Sequence, residues 1–532
     1  MKKRSLYAAL VITMMTAAGC NDNTNPTQEA GYAGPPYTVQ LEEYVNKSLP
    51  DLHSYTHAIY QDKIVMIGGR TNGLHGESYD FHRRFSNKDV FVISTNNWAT
   101  PDKWTVKSLP SNSSLLTANT AGISLQQFKA NNAQFFTEDS VLYIVGGLLG
   151  SARPTQLKQP GNPQSGLMLV PGTKADSNDN DTVPQTLPYI TAVTLPALIN
   201  AVNNNIPLAA GNIRQVKDDK LAVTGGELEL MGKAVKLVFG WNFSFNGDLY
   251  THQIRSFTYT DDGKKFSISP VTVCATCWDN QPDTSKTGYY RRRDGSMSPM
   301  IDPADGSEKL QYYAGVFKNG DINFDNPVWI GKDDAAEQSF VMRSNVYTCQ
   351  VVPVYSPSRM QSYATLLGGM KNAVYTGKAS SNLPILLTDS NTTITSKAGD
   401  FSSIPFSNQF STVMIDKQHN YSQYLLRDSF PAAQVVYPFL DTTSQPSTTP
   451  PIYYNGAESE LMWTLTPNNG MMPNGVVNYD TFLKANPQGG AVGYLHGGIL
   501  SKVQNAFAAN NQAMVTRASN RVFVVKIVPV KQ

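Results

Sequence analysis

The densest group of polar side chains able to grip a ligand is Tyr289-Tyr290-Arg291-Arg292-Arg293-Asp294. Guanidinium forks match carboxylates bidentately, and aromatic faces stack, so this run suits a carboxylated sugar. Its other use is a solvated loop with Arg293 paired to Asp294. A second patch combines Arg70, His75, His82, Arg83 and Arg84. The seven histidines are these two and His53, His57, His252, His419 and His496, with no HExxH spacing. His57 and His496 recur at equivalent places in a repeated pattern, which suits either structural hydrogen bonding or ligand contact. The ligand-binding candidates are therefore Tyr290, Arg291, Arg292, Arg293, His57, His496 and Arg70. No nucleophile elbow, phosphate loop or closely spaced carboxylate pair stands out, so no catalytic residue or cofactor is assigned. Asp176-Ser-Asn-Asp-Asn-Asp181 has the oxygen density of a calcium loop but lacks its glycine and terminal glutamate.

Four cysteines are present: Cys20, Cys274, Cys277 and Cys349. Cys274-Ala-Thr-Cys277 is followed by Trp278, not histidine, so haem attachment is unsupported. Zinc would need a second ligand pair, which Cys349 alone does not supply. One structural disulfide is expected, either Cys274–Cys277 or one of these with Cys349, leaving a buried thiol.

The elements that must position these residues are announced by repetition. His57-Ala-Ile-Tyr-Gln-Asp-Lys-Ile-Val-Met-Ile-Gly68-Gly69 is a short β run, a polar turn and a second run closed by two glycines. Asn132 to Gly147 and Ile213 to Gly226 share this shape, with weaker copies ending at Gly368-Gly369, Gly497-Gly498 and Tyr312-Tyr-Ala-Gly315. Each apolar run is too short for a helix and right for a buried strand. After the first pair, Asp89 to Ser94 and Trp104 to Leu109 supply two more strands, making a four-stranded antiparallel unit.

The double glycine, the later aromatic strand and the tryptophan of the outermost strand resemble the kelch repeat. That resemblance implies an all-β fold, a β-propeller whose blades surround a central channel and which binds through loops at the channel mouth. Seven blades are predicted. The wide gap between Gly368 and Gly497 is filled by a blade from Thr412 to Asp416 and Ser422 to Arg427, with Glu460 to Leu465 as an outer strand. Six blades with an insertion near 407–488 is the alternative, and Lys236 to Trp241 competes with Gly225-Gly226 as the second strand of blade three. Arg521 to Val528 reads as a third strand lacking a fourth, and Tyr37 to Glu43 resembles an outer strand, so the N-terminal strand is expected to close the ring.

Some kelch propellers are similar to galactose oxidase, a copper radical enzyme using two histidines, two tyrosines and a tyrosine–cysteine thioether. Tyr494, His496 and Cys274 or Cys349 are the residues here that could serve it, although the full pattern is not met. A carbohydrate-active or copper-oxidase-like enzyme, the periplasmic sialic-acid epimerase being another kelch relative, is the alternative to a non-enzymatic binding scaffold.

Lys2, Lys3 and Arg4 precede the apolar run Leu6 to Ala18, which ends in Ala17-Ala18-Gly19-Cys20. The run is too short to span a bilayer and reads as a signal peptide over 1–19. Small residues before the cysteine resemble a bacterial lipobox, which implies lipidation of Cys20, and Asn21 in place of aspartate implies the outer membrane. Residues 20–36 read as a flexible tether and 37–532 as the propeller. The expected address is the bacterial cell envelope, facing the periplasm or the surface.

Composition agrees with a folded β protein. Of 532 residues, 41% are hydrophobic and 10% aromatic, too apolar for a disordered chain. A net charge of +2 lacks the basic excess that phosphate binding needs, so nucleic acid is excluded as a partner. The expected partners are a glycan or a protein, and the expected state is a monomer.

Overall fold

The computed structural model describes residues 32–530 except 75–81, 121, 151–183, 244–249, 280–287, 317, 319–322, 378–382, 398–399, 441–449 and 509–511. Cys20, the leader, His75 and the acidic run 176–181 lie outside the described residues.

Thr56–Tyr60 and Lys63–Ile67 pair across the turn Gln61-Asp62, with Gln61 left-handed at φ 55°. Asp89–Ser94 and Thr105–Pro110 extend the sheet outward. The second strand is almost wholly apolar and buried because both its faces meet neighbouring sheets; the fourth, at the periphery, is mostly exposed and accepts Thr, Lys and Ser.

The described residues build six such blades around an axis. From the axis outward, blade two is Gln134–Glu138, Val141–Val145, Tyr189–Thr194 and Ile213–Lys217. Blade three is Glu227–Met231, Ala234–Val238, Gln253–Phe257 and Thr272–Trp278. Blade four is Ser296–Ile301, Glu308–Tyr313, Val328–Ile330 and Ala335–Glu337. Blade five is Val351–Ser356, Gln361–Leu367, Gln409–Asp416 and Tyr421–Ser429. Blade six is Ser459–Trp463, Gly490–Gly497, Val522–Pro529 and, outermost, Tyr37–Tyr44.

Seven blades is therefore corrected to six. The strands at 409–416 and 421–429 are the outer half of blade five, separated from its inner half by the connection 368–408, and form no blade of their own. Segment 407–488 is correspondingly not one insertion, since it also carries the start of blade six. Glu460 lies in an innermost strand, not an outer one, and Ile213–Lys217 is the outer edge of blade two, with Gly225-Gly226 leading into blade three.

The true repeat is conformational. Immediately after each second strand come two residues with positive φ: Gly68-Gly69, Gly146-Gly147, Phe239-Gly240, Ala314-Gly315, Gly368-Gly369 and Gly497-Gly498. The N–H of the second member donates to a carbonyl entering the next blade: Gly69 to Ala130 (2.8 Å), Gly147 to Val223 (2.8 Å), Gly240 to Arg292 (3.0 Å), Gly315 to Val346 (3.2 Å), Gly369 to Asn455 (3.2 Å) and Gly498 to Leu52 (3.0 Å). At Gly68 a Cβ would lie 2.3 Å from the Ala130 oxygen, so the neighbouring blade itself demands glycine there.

Apolar clusters fill every junction, including blade six against blade one, where Met462, Tyr494, Val522 and Val524 meet Ile64, Met66, Ile93 and Trp104. Tyr37–Tyr44 pairs with Val522–Pro529 along all eight residues, so N- and C-terminal segments share a sheet.

Candidate binding cavity on the ring axis

Just before each innermost strand, one residue turns toward the axis: Ser54, Asn132, Gly225, Asp294, Thr348 and Glu458. Five of them have positive φ, Thr348 being the exception. Their backbones are chained: Asn132 N–H donates to Ser54 O (3.0 Å), Ser54 to Glu458 (3.4 Å), Glu458 to Thr348 (3.1 Å), Thr348 to Asp294 (2.9 Å) and Asp294 to Gly225 (2.8 Å). The Thr224 hydroxyl completes the collar by donating to Asn132 O at 3.4 Å.

The next layer holds the residue that pairs with the last position before each left-handed pair: Thr56, Gln134, Glu227, Ser296, Gln350 and Glu460. All six are polar, where a buried strand would ordinarily carry Val or Ile. Among the described residues the innermost strands of blades one, two, three, four and six pair with no strand on their axial side, which leaves main-chain donors and acceptors facing the lumen. Beyond this layer the wall carries Phe135, Leu228, Met297, Val351 and Leu461 together with Glu229 and Ser298.

The cavity has a volume of about 390 Å³, within the range of small-ligand sites. The connection 464–489 leaves blade six and lays Val477-Asn478 parallel to Val354-Tyr355 of blade five, bringing Asn474 and Gly475 to the end away from the collar, beside Pro299, Pro353 and Trp463. The connections 68–88, 146–188, 239–252, 314–327, 368–408 and 498–521 start and finish at the collar end. There Leu74, Val316, Met370, Phe406, Ile499 and Val515 pack together.

The lining described contains five carboxylates, Glu227, Glu229, Asp294, Glu458 and Glu460, and no lysine or arginine. Burial, with the charges of Glu229 and Asp294, holds Glu227 well above the usual carboxylate range. Burial and the charges of Glu227 and Glu458 do the same to Glu460. Blades three and six are diametrically opposed in a six-membered ring, so Glu227 and Glu460, one layer in register, face each other across the lumen. Glu229 is pushed up to about 7 and Asp294 to about 6, chiefly by burial. Glu458 goes the other way. Burial opposes its charge, but hydrogen bonds from His53, Ser54 and Tyr347, with the His53 charge, bring it down to about 2. His57, whose Nδ1 lies 3.7 Å from Glu460, is lowered to about 4 by burial.

The residues singled out from sequence do not gather at one mouth. His57 lines the cavity. His496 is buried behind it, with Nδ1 2.8 Å from the Tyr55 hydroxyl, and burial lowers it to about 3. Arg292 is fully buried, donating to Tyr289 O (2.6 Å) and Ala314 O (2.9 Å) and pairing with Glu337 at 2.9 Å, so it holds blade four together. Tyr290 stacks on Phe239, centroids 5.2 Å apart, and donates to Thr276 O at 3.0 Å. Arg291 lies over the Tyr250 ring at 3.9 Å; Arg293 covers Trp241 at 4.4 Å and reaches Asp294 at 3.4 Å, its link to the collar. Arg70 exchanges backbone hydrogen bonds with His53 and donates from Nε to Asn72 at 3.0 Å.

Of the five carboxylates, only Asp294 is singled out from sequence, as the partner of Arg293. The signals of the other four are Glu227-Leu-Glu229-Leu and Glu458-Ser-Glu460, acids two apart in strands otherwise fit for burial, and they are hidden because Glu460 reads as part of an outer strand and Gly225-Gly226 as the end of a second one.

Cys274 and Cys277 form a disulfide on the outer strand of blade three. Cys349 is free, buried beside Ser296 (Sγ to Oγ 3.6 Å), and its thiol is pushed up to about 12 by burial. Tyr494 stacks between Trp98 and Trp104 at the junction of blades six and one. Tyr494 and His496 both pack at the junction of blades six and one beside Tyr55, whereas Cys274 is disulfide-bonded on the outer strand of blade three and Cys349 is buried beside Ser296. Among the described residues no group of three or more His, Cys, Asp or Glu is placed to hold a metal ion, and no helix is long and apolar enough to cross a membrane. No protein-family model matches the chain, and no curated protein matches it.

Proposed function

We propose that the chain is a lipid-anchored binding protein of the bacterial cell envelope whose kelch-like propeller takes a small polar ligand of the glycan class into its axial cavity. The observation that carries this reading is the doubled polar layer at the axis. In five blades the residue of that layer, Gln134, Glu227, Ser296, Gln350 or Glu460, lines one cavity, to which blade one adds His57, and burying such groups is costly for folding unless they meet a partner. Trp463 and Phe135 add aromatic faces of the kind that stack on sugar rings. The kelch reading is supported by the left-handed pair in every blade and by Trp104 beside the outer strand of blade one. For anchoring, the support is the leader and Cys20 in sequence. In register, Tyr37 lies opposite Pro529, at the end away from the collar.

The test is a titration of mono- and disaccharides followed by tryptophan fluorescence and calorimetry. Trp463→Ala is expected to weaken binding at least tenfold, while Arg84→Ala on the loop face leaves it unchanged. The opposite pattern would move the site to the loops, where a protein partner would dock.

One observation favours a second reading. A carboxyl poised near neutrality, as Glu229 is at about 7, is what a general acid needs, so the same cavity would suit a carbohydrate-active enzyme. Product formation from a glycan panel, lost in Glu229→Gln, would decide for it.

A further inference from the structure

We infer that the ligand taken into the axial cavity carries a primary ammonium group, received between Glu227 and Glu460 on opposite walls. This rests on the reading of the cavity as a binding site and adds the charge of its occupant.

The lumen is short of donors and rich in acceptors. Among the described residues Glu227 makes no side-chain hydrogen bond or ion pair; Glu229 accepts from the Leu230 backbone N–H, and Glu460 accepts from Gln350 Nε2 at 3.5 Å. Gln134, only 5% exposed, lines the cavity and donates from Nε2 to Asn132 O at 2.8 Å, which orients its amide; its Oε1 is buried and accepts nothing. The Nδ1 of His57 is likewise buried without a hydrogen-bond partner. Arg293 reaches Asp294 at 3.4 Å and His53 reaches Glu458 at 2.8 Å, but the described lining holds no lysine or arginine for Glu227, Glu229 or Glu460.

An ammonium group offers three donors, no acceptor and a positive charge, and so supplies what the wall lacks. A neutral sugar hydroxyl brings an acceptor with every donor and leaves the carboxylates uncompensated. Burial and neighbouring carboxylates raise both Glu227 and Glu460; an entering ammonium favours their ionised forms, and any proton they hold leaves to solvent. Trp463 and Phe135 offer ring faces to the same cation or to the body that bears it.

The experiment is calorimetry on the full-length chain in detergent micelles at pH 6.5, titrated with glucosamine, N-acetylglucosamine and glucose. Glucosamine is expected to bind at least tenfold more tightly than the other two, with a heat that changes with the ionisation enthalpy of the buffer as protons are released. Glu227→Gln is expected to reduce that preference to less than threefold. Equal affinity for the three sugars, lowered by Trp463→Ala, would overturn the ammonium inference and leave the cavity as the glycan site. Glucosamine binding unaffected by both Glu227→Gln and Trp463→Ala would overturn both readings.

Discussion

Single residues at the axis carry charge where the surrounding packing disfavours it. Glu229 has an ordinary value of 4.5 and is held near 7 in the fold, mainly by burial. Folding therefore takes up a proton between these values, and the stability tied to Glu229 falls as pH rises from about 4.5 to about 7, then stays level. Glu458 behaves oppositely: held at about 2, it contributes stability above its ordinary 4.5 that is lost as pH falls toward 2. Glu229→Gln is accordingly expected to raise the melting temperature by about 2 °C more at pH 8 than at pH 5. Equal shifts at both pH values, measured by calorimetric scans, would show that Glu229 is not held protonated. What could be read at this scale in sequence was residue type, not environment. Arg292 sits among three arginines yet is wholly buried, while Glu227, in an apolar-looking strand, meets the lumen.

At the scale of the element, the blade is defined by how its second strand ends. Two left-handed residues turn the chain away and offer one N–H to the neighbouring blade, so a local conformation becomes a ring contact. Gly68→Ala would place a methyl 2.3 Å from the Ala130 oxygen at φ 67°, and we expect a loss of about 2 kcal/mol or more in denaturant unfolding. A loss below about 0.5 kcal/mol would mean that the junction yields easily. Phe239 and Ala314 hold the same conformation in blades three and four without glycine, because their neighbours supply hydrogen bonds and packing that fix the bend. That substitution is why the glycine signal was faint there, and why Gly225-Gly226, at the collar, was mistaken for it.

For the molecule as a whole, the join between blades six and one decides whether the ring holds. Tyr37 and Val39 are fully buried between blades five and six, and Glu43 makes a buried ion pair with Arg521 at 2.6 Å. Deleting 37–44 would expose the edge of Val522–Pro529 along its length and leave Arg521 without its carboxylate. The melting temperature is expected to fall by about 10 °C or more with increased aggregation; an unchanged transition would show that side-by-side packing of the blades closes the ring unaided.

The sequence by itself determined the strand-turn-strand rhythm, the left-handed bends marked by paired glycines and the matching of the first and last strands, because these follow from local sterics and from alternation along a few residues. Only the tertiary structure decided that there are six blades, which strand of each lies innermost, and that Glu227 and Glu460 line one lumen. Those facts depend on which segments become neighbours across hundreds of residues, and a carboxylate acquires its chemistry from what stands opposite it.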